Sequence, residues 1–183
     1  MVTTRQEQIL TTAATLFAER GFHGVSVHDI GAACGISGPA LYRHFAGKDA
    51  VLSEMLVGIS RTLRSGGRTR VAEASDPKDA LDALVAFHID FALTNPALIV
   101  VQEREWTNLD DASRAEVRAL QLDYVDTWVE VLRTLRPELD QRTARAAVQA
   151  TFGLLNSTPH SARISADAMA ELLTQMARRA LLG

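Results

Sequence analysis

Residues 26–48 constrain the fold more than any other part of the sequence, because they predict two short helices joined by a tight turn. Ser26 precedes the first of these helices, and its side-chain oxygen can accept a hydrogen bond from an N–H group of the first turn. Apolar residues then recur at the spacing of one buried helical face: Val27, Ile30 and Cys34. Gly35 follows, and a residue without a Cβ atom suits the left-handed conformation that ends a helix.

The second helix of this pair presents an inner apolar face and an outer face that is free for contact with a partner. Ser37 can cap the helix, and Pro39 is tolerated in its first turn. Leu41 and Phe45 are four residues apart and therefore point to the same, inner side. Two helices joined in this way predict a helix-turn-helix motif, whose second helix enters the major groove of DNA.

The same segment resembles the DNA-binding segment of TetR-type (tetracycline-repressor-like) transcriptional regulators. The residues that carry the resemblance run from Ser26 to Asp49 and read SVHDIGAACGISGPALYRHFAGKD, of which Leu41–Phe45 followed by Lys48 is the most specific part. One position departs from the family pattern, since Gly31 stands where alanine is usual and so lowers the helix propensity. The resemblance implies an all-α protein with an N-terminal three-helix DNA-binding head and a C-terminal helical domain for ligand binding and dimerisation.

Apolar periodicity and cap residues predict about nine helices along the chain. Beyond the two motif helices, the predicted helices cover residues 4–20, 48–72, 77–94, 96–106, 111–135 and 140–157, and a last one that begins after Ser165. Residues 156–163 are predicted to form a loop, and the pair Gly66-Gly67 predicts a bend or an end in the helix over 48–72. Residues 1–48 would then form the DNA-binding domain, and residues 49–183 the ligand-binding and dimerisation domain.

The charge distribution by itself gives only weak support for binding to DNA. The whole chain carries a net charge of −3, and residues 1–48 contain four Arg or Lys residues against three Asp or Glu residues. Such a head is only slightly basic, and the acidic excess lies in the larger C-terminal part. DNA binding is therefore predicted from the motif and not from the charge.

Cysteine usage and the absence of long apolar runs favour a cytoplasmic protein. Cys34 is the one cysteine, which excludes an internal disulfide and fits a reducing compartment. Its place on the apolar stripe predicts a buried, inert thiol. The N-terminus lacks the pattern of a secretory signal, and the longest strongly apolar run, residues 96–101, is too short to span a bilayer. We therefore expect no membrane partner.

Side chains on the outer face and leading end of the motif predict the contacts with double-stranded DNA. Candidates for phosphate contact carry a hydroxyl, an imidazole or an ammonium group: Ser26, Ser37, Tyr42, His44 and Lys48. Candidates for base contact lie at the start and in the middle of the second helix: Gly38, Pro39 and Arg43. Arg43 can pair with guanine O6 and N7, whereas Pro39 offers only an apolar surface, for example to a thymine methyl group. In the alternative for Tyr42, its ring packs in the core and only its hydroxyl is exposed.

The last two predicted helices have the composition of a face that pairs with a second copy of the chain. Small residues are frequent in residues 140–157, and apolar residues recur in the helix after Ser165. Two such helices from each subunit would build a four-helix bundle, which is also what the TetR resemblance implies. In the alternative, these helices only complete the core of a monomer. A two-fold homodimer would place its heads about 34–36 Å apart, or a multiple of that distance, on a palindromic operator.

Aromatic and polar residues of the second half predict a small-molecule site. The candidates are Phe87, His88, Phe91, Trp106, Tyr124, Trp128, Phe152 and Asn156. An apolar cavity with a few polar groups is the usual form of such a site, and it would accept a mostly hydrophobic effector. The resemblance implies lipid-derived molecules, acyl-CoA or drugs as effector classes, and repression as the common mode. In the alternative, the aromatic residues are plain core and His88 is a hydrogen-bonded core histidine.

Two further classes of function are weighed against a ligand-responsive regulator. An enzyme is disfavoured because the sequence has no metalloprotease, phosphate-loop or serine-hydrolase motif, and its five histidines lack metal-ligand spacing. We therefore predict no catalytic residues, no metal and no cofactor. A helical interaction protein that never contacts DNA would tolerate Arg43→Ala and Tyr42→Ala without consequence. Arg61, Arg64 and Arg68 at helical spacing predict either a solvated face or an anion site.

Overall fold

The computed structural model describes residues 4–183, in which every regular element is a helix and no strand occurs. In chain order the elements are α1 (Arg5–Arg20), α2 (Val27–Ala33), α3 (Gly38–Leu41), α4 (Lys48–Glu73), α5 (Pro77–Thr94), α6 (Pro96–Arg104), a 3-10 turn (Trp106–Asn108), α7 (Asp111–Leu135), α8 (Gln141–Leu155), α9 (Thr158–Ser161) and α10 (Ala166–Leu182). The predicted all-α class is confirmed. The short helix α9 lies where the sequence predicted a loop, because Pro159 fits its first turn. No single helix in this stretch combines the length and apolar character that a membrane span requires.

The chain divides into two compact units. The first comprises the chain up to Ile59 together with Ala97–Val117, and the second comprises Ser60–Pro96 together with Arg118–Gly183. Helices α4 and α7 begin in the first unit and end in the second. The first unit is therefore assembled from two separate segments of the chain. The functional division between residues 1–48 and 49–183 concerns the roles of the segments and remains a prediction.

The helices of the first unit pack around apolar side chains. Capping residues define where α1 begins and ends. The Thr4 hydroxyl accepts a hydrogen bond from the Glu7 N–H at 3.2 Å, and a Glu7 carboxylate oxygen accepts one from the Thr4 N–H at 2.7 Å. Gly21 adopts φ 73° and ends α1, a conformation that favours glycine. The largest fully buried side chains of this unit come from α1 to α4: Ile9, Phe17, Ile30, Leu41, Leu52 and Leu56. This core holds the two motif helices in place.

The second unit packs α10 against both α5 and α8. Its largest fully buried side chains come from α5, α7, α8 and α10: Leu81, Leu84, Trp128, Leu132, Leu155 and Leu173. Capping side chains define the starts of three of these helices, since Asp76, Asp140 and Ser165 each accept a hydrogen bond from an N–H of the first turn. The cap residues and the buried apolar side chains of this unit thus favour the same helices.

Two sequence expectations about local structure are wrong, an end of the helix at Gly66-Gly67 and a buried Cys34. Helix α4 runs without a break through Gly66-Gly67, because these glycines allow aromatic rings to approach its backbone; a Cβ atom on Gly67 would lie 2.5 Å from Cε2 of Tyr124. Cys34 is partly exposed rather than buried, because α2 ends at Ala33 and the apolar stripe does not extend beyond it.

Candidate nucleic-acid interface and ligand-binding cluster

Helices α2 and α3 form the predicted helix-turn-helix motif, and backbone hydrogen bonds hold the turn between them. Gly35 adopts φ 67°, and the N–H of Ile36 donates to the carbonyl of Gly31 at 2.9 Å. A Cβ atom on Gly31 would lie 3.0 Å from the Ile36 carbonyl oxygen, a tight contact that glycine avoids. Ser37 then caps α3 by accepting a hydrogen bond from the Ala40 N–H at 3.3 Å. The turn therefore sets the direction of α3.

The side chains predicted to contact bases lie on the outer side of α3 and just beyond its end. Pro39 and Arg43 are exposed, and Gly38 is half-buried. Tyr42 is 58% exposed, so its ring does not pack in the core. Within residues 4–183, neither the Arg43 guanidinium nor the Tyr42 hydroxyl makes a hydrogen bond or an ion pair. Both polar groups are therefore free for a partner.

Both serines predicted to contact phosphate, Ser26 and Ser37, use their hydroxyls as helix caps. The Ser26 hydroxyl accepts a hydrogen bond from the Asp29 N–H at 3.1 Å and donates one to the Asp29 carboxylate. The Ser26 hydroxyl and then the Ser26 N–H lower the pKa of the Asp29 carboxyl group. Ser37 caps α3 in the same way, and His44 is half-buried after that helix. Phosphate contact by these residues remains a prediction.

Lys48 binds inside the first unit through its ammonium group. Its Nζ atom donates to the carbonyl oxygens of Phe22 and Val25, each at 3.0 Å, and lies 4.4 Å from the centroid of the Phe22 ring. An ammonium group has three N–H donors, so one is left for a phosphate oxygen. The structure therefore adds a role to the predicted phosphate contact, because Lys48 also holds the loop between α1 and α2.

Glu105 also binds the loop between α1 and α2. Sequence analysis did not single out this residue. The side chain is 6% exposed, and its Oε1 atom accepts a hydrogen bond from the Phe22 N–H at 3.1 Å. Its Oε2 atom accepts one from the Asn108 amide at 2.7 Å. We call Glu105, Phe22 and Lys48 the Phe22 clamp, because Glu105 binds the backbone N–H of Phe22 and Lys48 binds its backbone carbonyl. The one sequence signal is an acidic residue beside Trp106, a pattern that usually indicates an exposed side chain.

His88, Tyr124 and Asn156 form a buried chain of hydrogen bonds in the second unit. Nδ1 of His88 lies 3.2 Å from the Tyr124 hydroxyl, and its Nε2 lies 3.0 Å from Oδ1 of Asn156. Burial, which the Asn156 hydrogen bond opposes only in part, lowers the pKa of His88 to about 4, so the ring is neutral at pH 7. Nε2 then carries the proton and donates to Asn156, while Nδ1 accepts from the Tyr124 hydroxyl. Burial also raises the pKa of the Tyr124 phenol.

Phe152 and Trp128 contact this chain from two directions. The Phe152 ring is almost parallel to His88 and Tyr124, with centroid distances of 4.7 and 5.5 Å. Trp128 is nearly perpendicular to His88 and Phe152, at 6.0 and 5.0 Å. Its indole N–H lies near the Tyr124 hydroxyl and lowers the pKa of that phenol against the larger effect of burial, yet it is buried and makes no hydrogen bond of ordinary geometry within the described residues. We call His88, Tyr124, Trp128, Phe152 and Asn156 the aromatic cluster.

The other three residues predicted to bind a ligand lie outside the aromatic cluster. Phe91 borders it, with its ring centroid 6.0 Å from that of His88. Phe87 lies against Gly66 and carries the guanidinium of Arg70 on its ring face, 4.0 Å from the centroid. Trp106 belongs to the 3-10 turn of the first unit and is half-buried. The structure thus brings together five of the eight candidates.

The arginine stripe of α4 is tied to a carboxylate on α7. Arg64 binds Asp123 through Nε, and Arg68 binds both carboxylate oxygens of Asp123 through Nη2, at 2.7 and 2.9 Å. Burial raises the pKa of Asp123, but the two guanidinium groups outweigh it and the net shift is downward. Because Asp123 already pairs with both Arg64 and Arg68, these two arginines are used within the second unit, which disfavours an anion site.

The buried His88 predicts a specific dependence of stability on pH. Its pKa is about 4 in the folded chain against 6.5 for the free side chain, so the unfolded chain takes up the proton first as the pH falls. This contribution to the free energy of unfolding is full above pH 6.5 and declines by about 3 kcal/mol as the pH falls to 4. We expect urea unfolding of the wild type to lose that much more stability between pH 7 and pH 4 than His88→Gln does. Parallel profiles for the two proteins would contradict the neutral, buried imidazole.

Helices α8 and α10 each have one buried side and one exposed side. The exposed side of α10 carries Leu172 and Met176, which are 44% and 43% exposed. The exposed side of α8 carries small residues at helical spacing. We call the following residues the α8/α10 face: Ala146, Ala150, Gly153, Leu172 and Met176. Large apolar side chains beside small residues are suited to close helix packing against another surface.

Comparison with known families matches both parts of the chain. The model described as bacterial regulatory proteins, tetR family, matches residues 9–55. The model described as the tetracyclin repressor-like C-terminal domain matches residues 74–181. The first match contains the whole helix-turn-helix motif, and the second contains the aromatic cluster and the α8/α10 face.

Individual relatives agree with these matches. The HTH-type transcriptional repressor KstR2 of Mycobacterium tuberculosis is 30% identical over 146 residues, which cover 76% of this chain and 73% of the relative. KstR2 of Rhodococcus jostii is 32% identical over 129 residues, which cover 70% of this chain and 63% of the relative. The crystal structure of the TetR family transcriptional regulator PfmR from Thermus thermophilus has a TM-score of 0.84 and 27% identity, with 100% of this chain and 98% of that chain covered.

Proposed function

This chain belongs to the TetR family of DNA-binding transcriptional regulators, and we propose that it is a repressor released from a palindromic operator by a mostly hydrophobic small molecule. The observation that carries the DNA-binding part is the pair of free polar groups on Tyr42 and Arg43, which project from a capped and packed helix-turn-helix. Similarity to two KstR2 repressors supports repression. In this role the chain acts as a regulator and not as an enzyme.

Base readout is assigned to α3 and to Arg43, two residues beyond its end. Arg43 donates two hydrogen bonds to O6 and N7 of a guanine. Pro39 supplies an apolar contact at the exposed start of the helix, and Gly38 lets the backbone approach the base edges. Phosphate contact is assigned to the surrounding polar groups, which fix the register and make affinity depend on salt: Ser26, Ser37, Tyr42, His44 and Lys48.

A homodimer through α8 and α10 brings two heads to one operator. The α8/α10 face supports this assignment, because Leu172 and Met176 are apolar yet more than 40% exposed in the single chain. Pairing the two helices with those of a second copy would bury both side chains in a four-helix bundle. A two-fold dimer also accounts for a palindromic operator, since each half-site meets one head in the same orientation.

Truncation of the α8/α10 face is expected to weaken the dimer. Leu172→Ala removes apolar surface from both subunits, which costs about 1–2 kcal/mol and raises the dimer dissociation constant about five- to thirtyfold. Sedimentation velocity over a concentration series measures this change. Leu122→Ala is the matched control, because Leu122 is 45% exposed but lies on α7, outside the face. Equal dissociation constants for the two variants would contradict this interface.

The effector site is assigned to the aromatic cluster and the apolar core around it. Apolar rings from α5, α7 and α8 surround a few uncharged polar groups, which is the composition of a small-molecule site. A ligand can release DNA only if it binds the DNA-free state more tightly than the DNA-bound state. The coupling free energy between the two sites therefore sets how far the effector lowers operator affinity.

Fluorescence anisotropy on DNA from upstream of the protein's own gene tests the proposed function. We expect tighter binding to this DNA than to a scrambled sequence, with affinity that falls as salt rises. Hydrophobic metabolites added to the complex should then lower the anisotropy if they act as effectors. Equal affinity for the two DNAs, followed by failure of selection from random DNA to find a preferred site, would contradict the assignment.

A further inference from the structure

The indole N–H of Trp128 is a buried donor without a partner of its own. The side chain is 0% exposed, and its Nε1 atom makes no hydrogen bond of ordinary geometry within the described residues. The indole N–H usually finds an acceptor when it is buried, because leaving a buried donor unpaired costs stability. The Tyr124 oxygen, which donates its own proton to His88, can still accept a hydrogen bond, but it does not lie at ordinary hydrogen-bond geometry from the Trp128 N–H. The Trp128 N–H is therefore open to a better-placed acceptor than residues 4–183 supply.

Beside this donor lies a flat surface made of two rings. His88 and Tyr124 are hydrogen-bonded edge to edge, and their planes differ by only 15°. The Phe152 ring covers both of them, at angles of 8° and 10°. Phe152 is itself only half-buried, whereas the two rings beneath it are buried. Phe152 can therefore turn outward, and a flat molecule can take its place on the two rings.

The surroundings favour an uncharged molecule in that place. The His88 ring is neutral at pH 7, and Tyr124 and Asn156 carry no charge. The guanidinium of Arg70 acts on Tyr124 over a distance, but it is engaged with the Phe87 ring and with the carbonyl of Gly66. A charged group would lose its hydration without gaining a counter-ion, which disfavours it.

We infer that the aromatic cluster binds a flat, uncharged ring compound that bears a carbonyl oxygen, which displaces the Phe152 ring, stacks on His88 and Tyr124 and accepts the N–H of Trp128. This inference rests on the proposed function and names the chemistry of its effector. The ligand stacks on His88 and Tyr124 in place of Phe152, so the stacking free energy changes little when one ring replaces the other. The hydrogen bond to Trp128 is the interaction gained, and it is formed away from water.

A matched pair of probes tests the hydrogen bond directly. Methyl naphthyl ketone has the flat rings and the carbonyl, and ethylnaphthalene has the same shape without the acceptor. Titration calorimetry with the full chain in the absence of DNA should give about two- to tenfold tighter binding of the ketone. Trp128→Phe should remove this preference. Phe152→Ala should tighten binding of both probes, because no ring has to be displaced, and Leu122→Ala is the control that leaves both affinities unchanged.

A spectroscopic readout separates a specific contact from general loosening of the core. The chain has two tryptophans, so a proton–nitrogen correlation spectrum shows two indole N–H signals, and Trp128→Phe assigns one of them. The ketone should move the Trp128 signal downfield, as a new hydrogen bond does, and ethylnaphthalene should not. No binding by the wild type and by Phe152→Ala would overturn the inference. A ketone preference that persists in Trp128→Phe would overturn it as well.

These outcomes are independent of the DNA-binding result. Binding of the ketone to the cluster without release of DNA would support the inference and contradict the proposed control by an effector. Release of DNA by a compound that leaves the Trp128 signal in place and binds Phe152→Ala no more tightly would overturn the inference alone.

Discussion

Arg43→Ala is expected to weaken binding to the operator by about 1–3 kcal/mol per subunit, which is about five- to 150-fold for each half-site. The loss arises because the guanidinium is the one exposed group of this motif that can donate two parallel hydrogen bonds to a guanine. Binding to scrambled DNA should change much less, because it depends on phosphate contacts. Fluorescence anisotropy on both DNAs measures the two affinities, and their ratio is the specificity that Arg43 supplies.

Arg118→Ala is the matched control for this change. Arg118 is also an exposed arginine, so the net charge changes equally, but it lies on α7 outside the motif. We expect its specificity ratio to equal that of the wild type. An equal loss on operator and scrambled DNA in Arg43→Ala, with a salt dependence reduced by about one unit, would instead mark Arg43 as a phosphate contact. Full affinity in both variants would favour a helical protein that does not use the motif.

The helix-turn-helix could be predicted in detail because its determinants are local. Ser26 and Ser37 cap helices by accepting hydrogen bonds from N–H groups three residues further along the chain. Gly35 adopts a left-handed backbone conformation that favours glycine. Such bonds close within a few residues, so residue type and spacing suffice to place them. The outward direction of Arg43 follows from the inward direction of Leu41 by the same helical periodicity.

Contacts between distant segments could be predicted only as a set of candidates. His88, Tyr124 and Asn156 were each singled out as polar or aromatic residues of the second half, but their hydrogen bonds join positions 36 and 68 residues apart. Periodicity shows which face of each helix is apolar and does not show which faces meet. Trp106 illustrates the limit, because its type resembles the others and the chain places it in the first unit.

Gly66-Gly67 and Cys34 show how tertiary packing changes a local rule. Two adjacent glycines lower helix propensity, yet α4 continues because the Phe87 and Tyr124 rings fill the space that side chains would occupy. Cys34 fits the apolar spacing of α2, but the helix stops one residue before it. In both cases the deciding neighbour is remote in sequence or depends on where a helix ends.

Among residues that the sequence did not single out, Glu105 is the one whose substitution should lower stability most. Its buried carboxylate accepts hydrogen bonds from the Phe22 N–H and the Asn108 amide. Glu105→Ala leaves both donors without this acceptor, at a cost of about 1–3 kcal/mol for the buried Phe22 N–H and less for the partly buried Asn108 amide. We therefore expect the free energy of unfolding of the first unit to fall by about 1–4 kcal/mol. Urea unfolding followed by the fluorescence of Trp106, two residues from the end of α6, measures this change.

Operator binding should also weaken in Glu105→Ala, although Glu105 is not assigned a contact with DNA. Phe22 lies in the loop that leads from α1 into Ser26 and α2, so a loose Phe22 leaves the start of the motif less fixed. The ordering of this loop must then take place on binding, which lowers affinity for operator and scrambled DNA alike. This common loss distinguishes a positioning residue from a base contact such as Arg43.

Glu103→Ala is the matched control, because Glu103 carries the same charge two residues before Glu105, at the end of α6, but is exposed. It should unfold and bind DNA as the wild type does. Amide hydrogen exchange at Phe22 gives the most local readout, since the N–H loses its acceptor in Glu105→Ala and should exchange faster there. Slow exchange at Phe22 together with wild-type stability would mean that the clamp is held by Lys48 and the Phe22 ring, and that the Glu105 carboxylate contributes little to it.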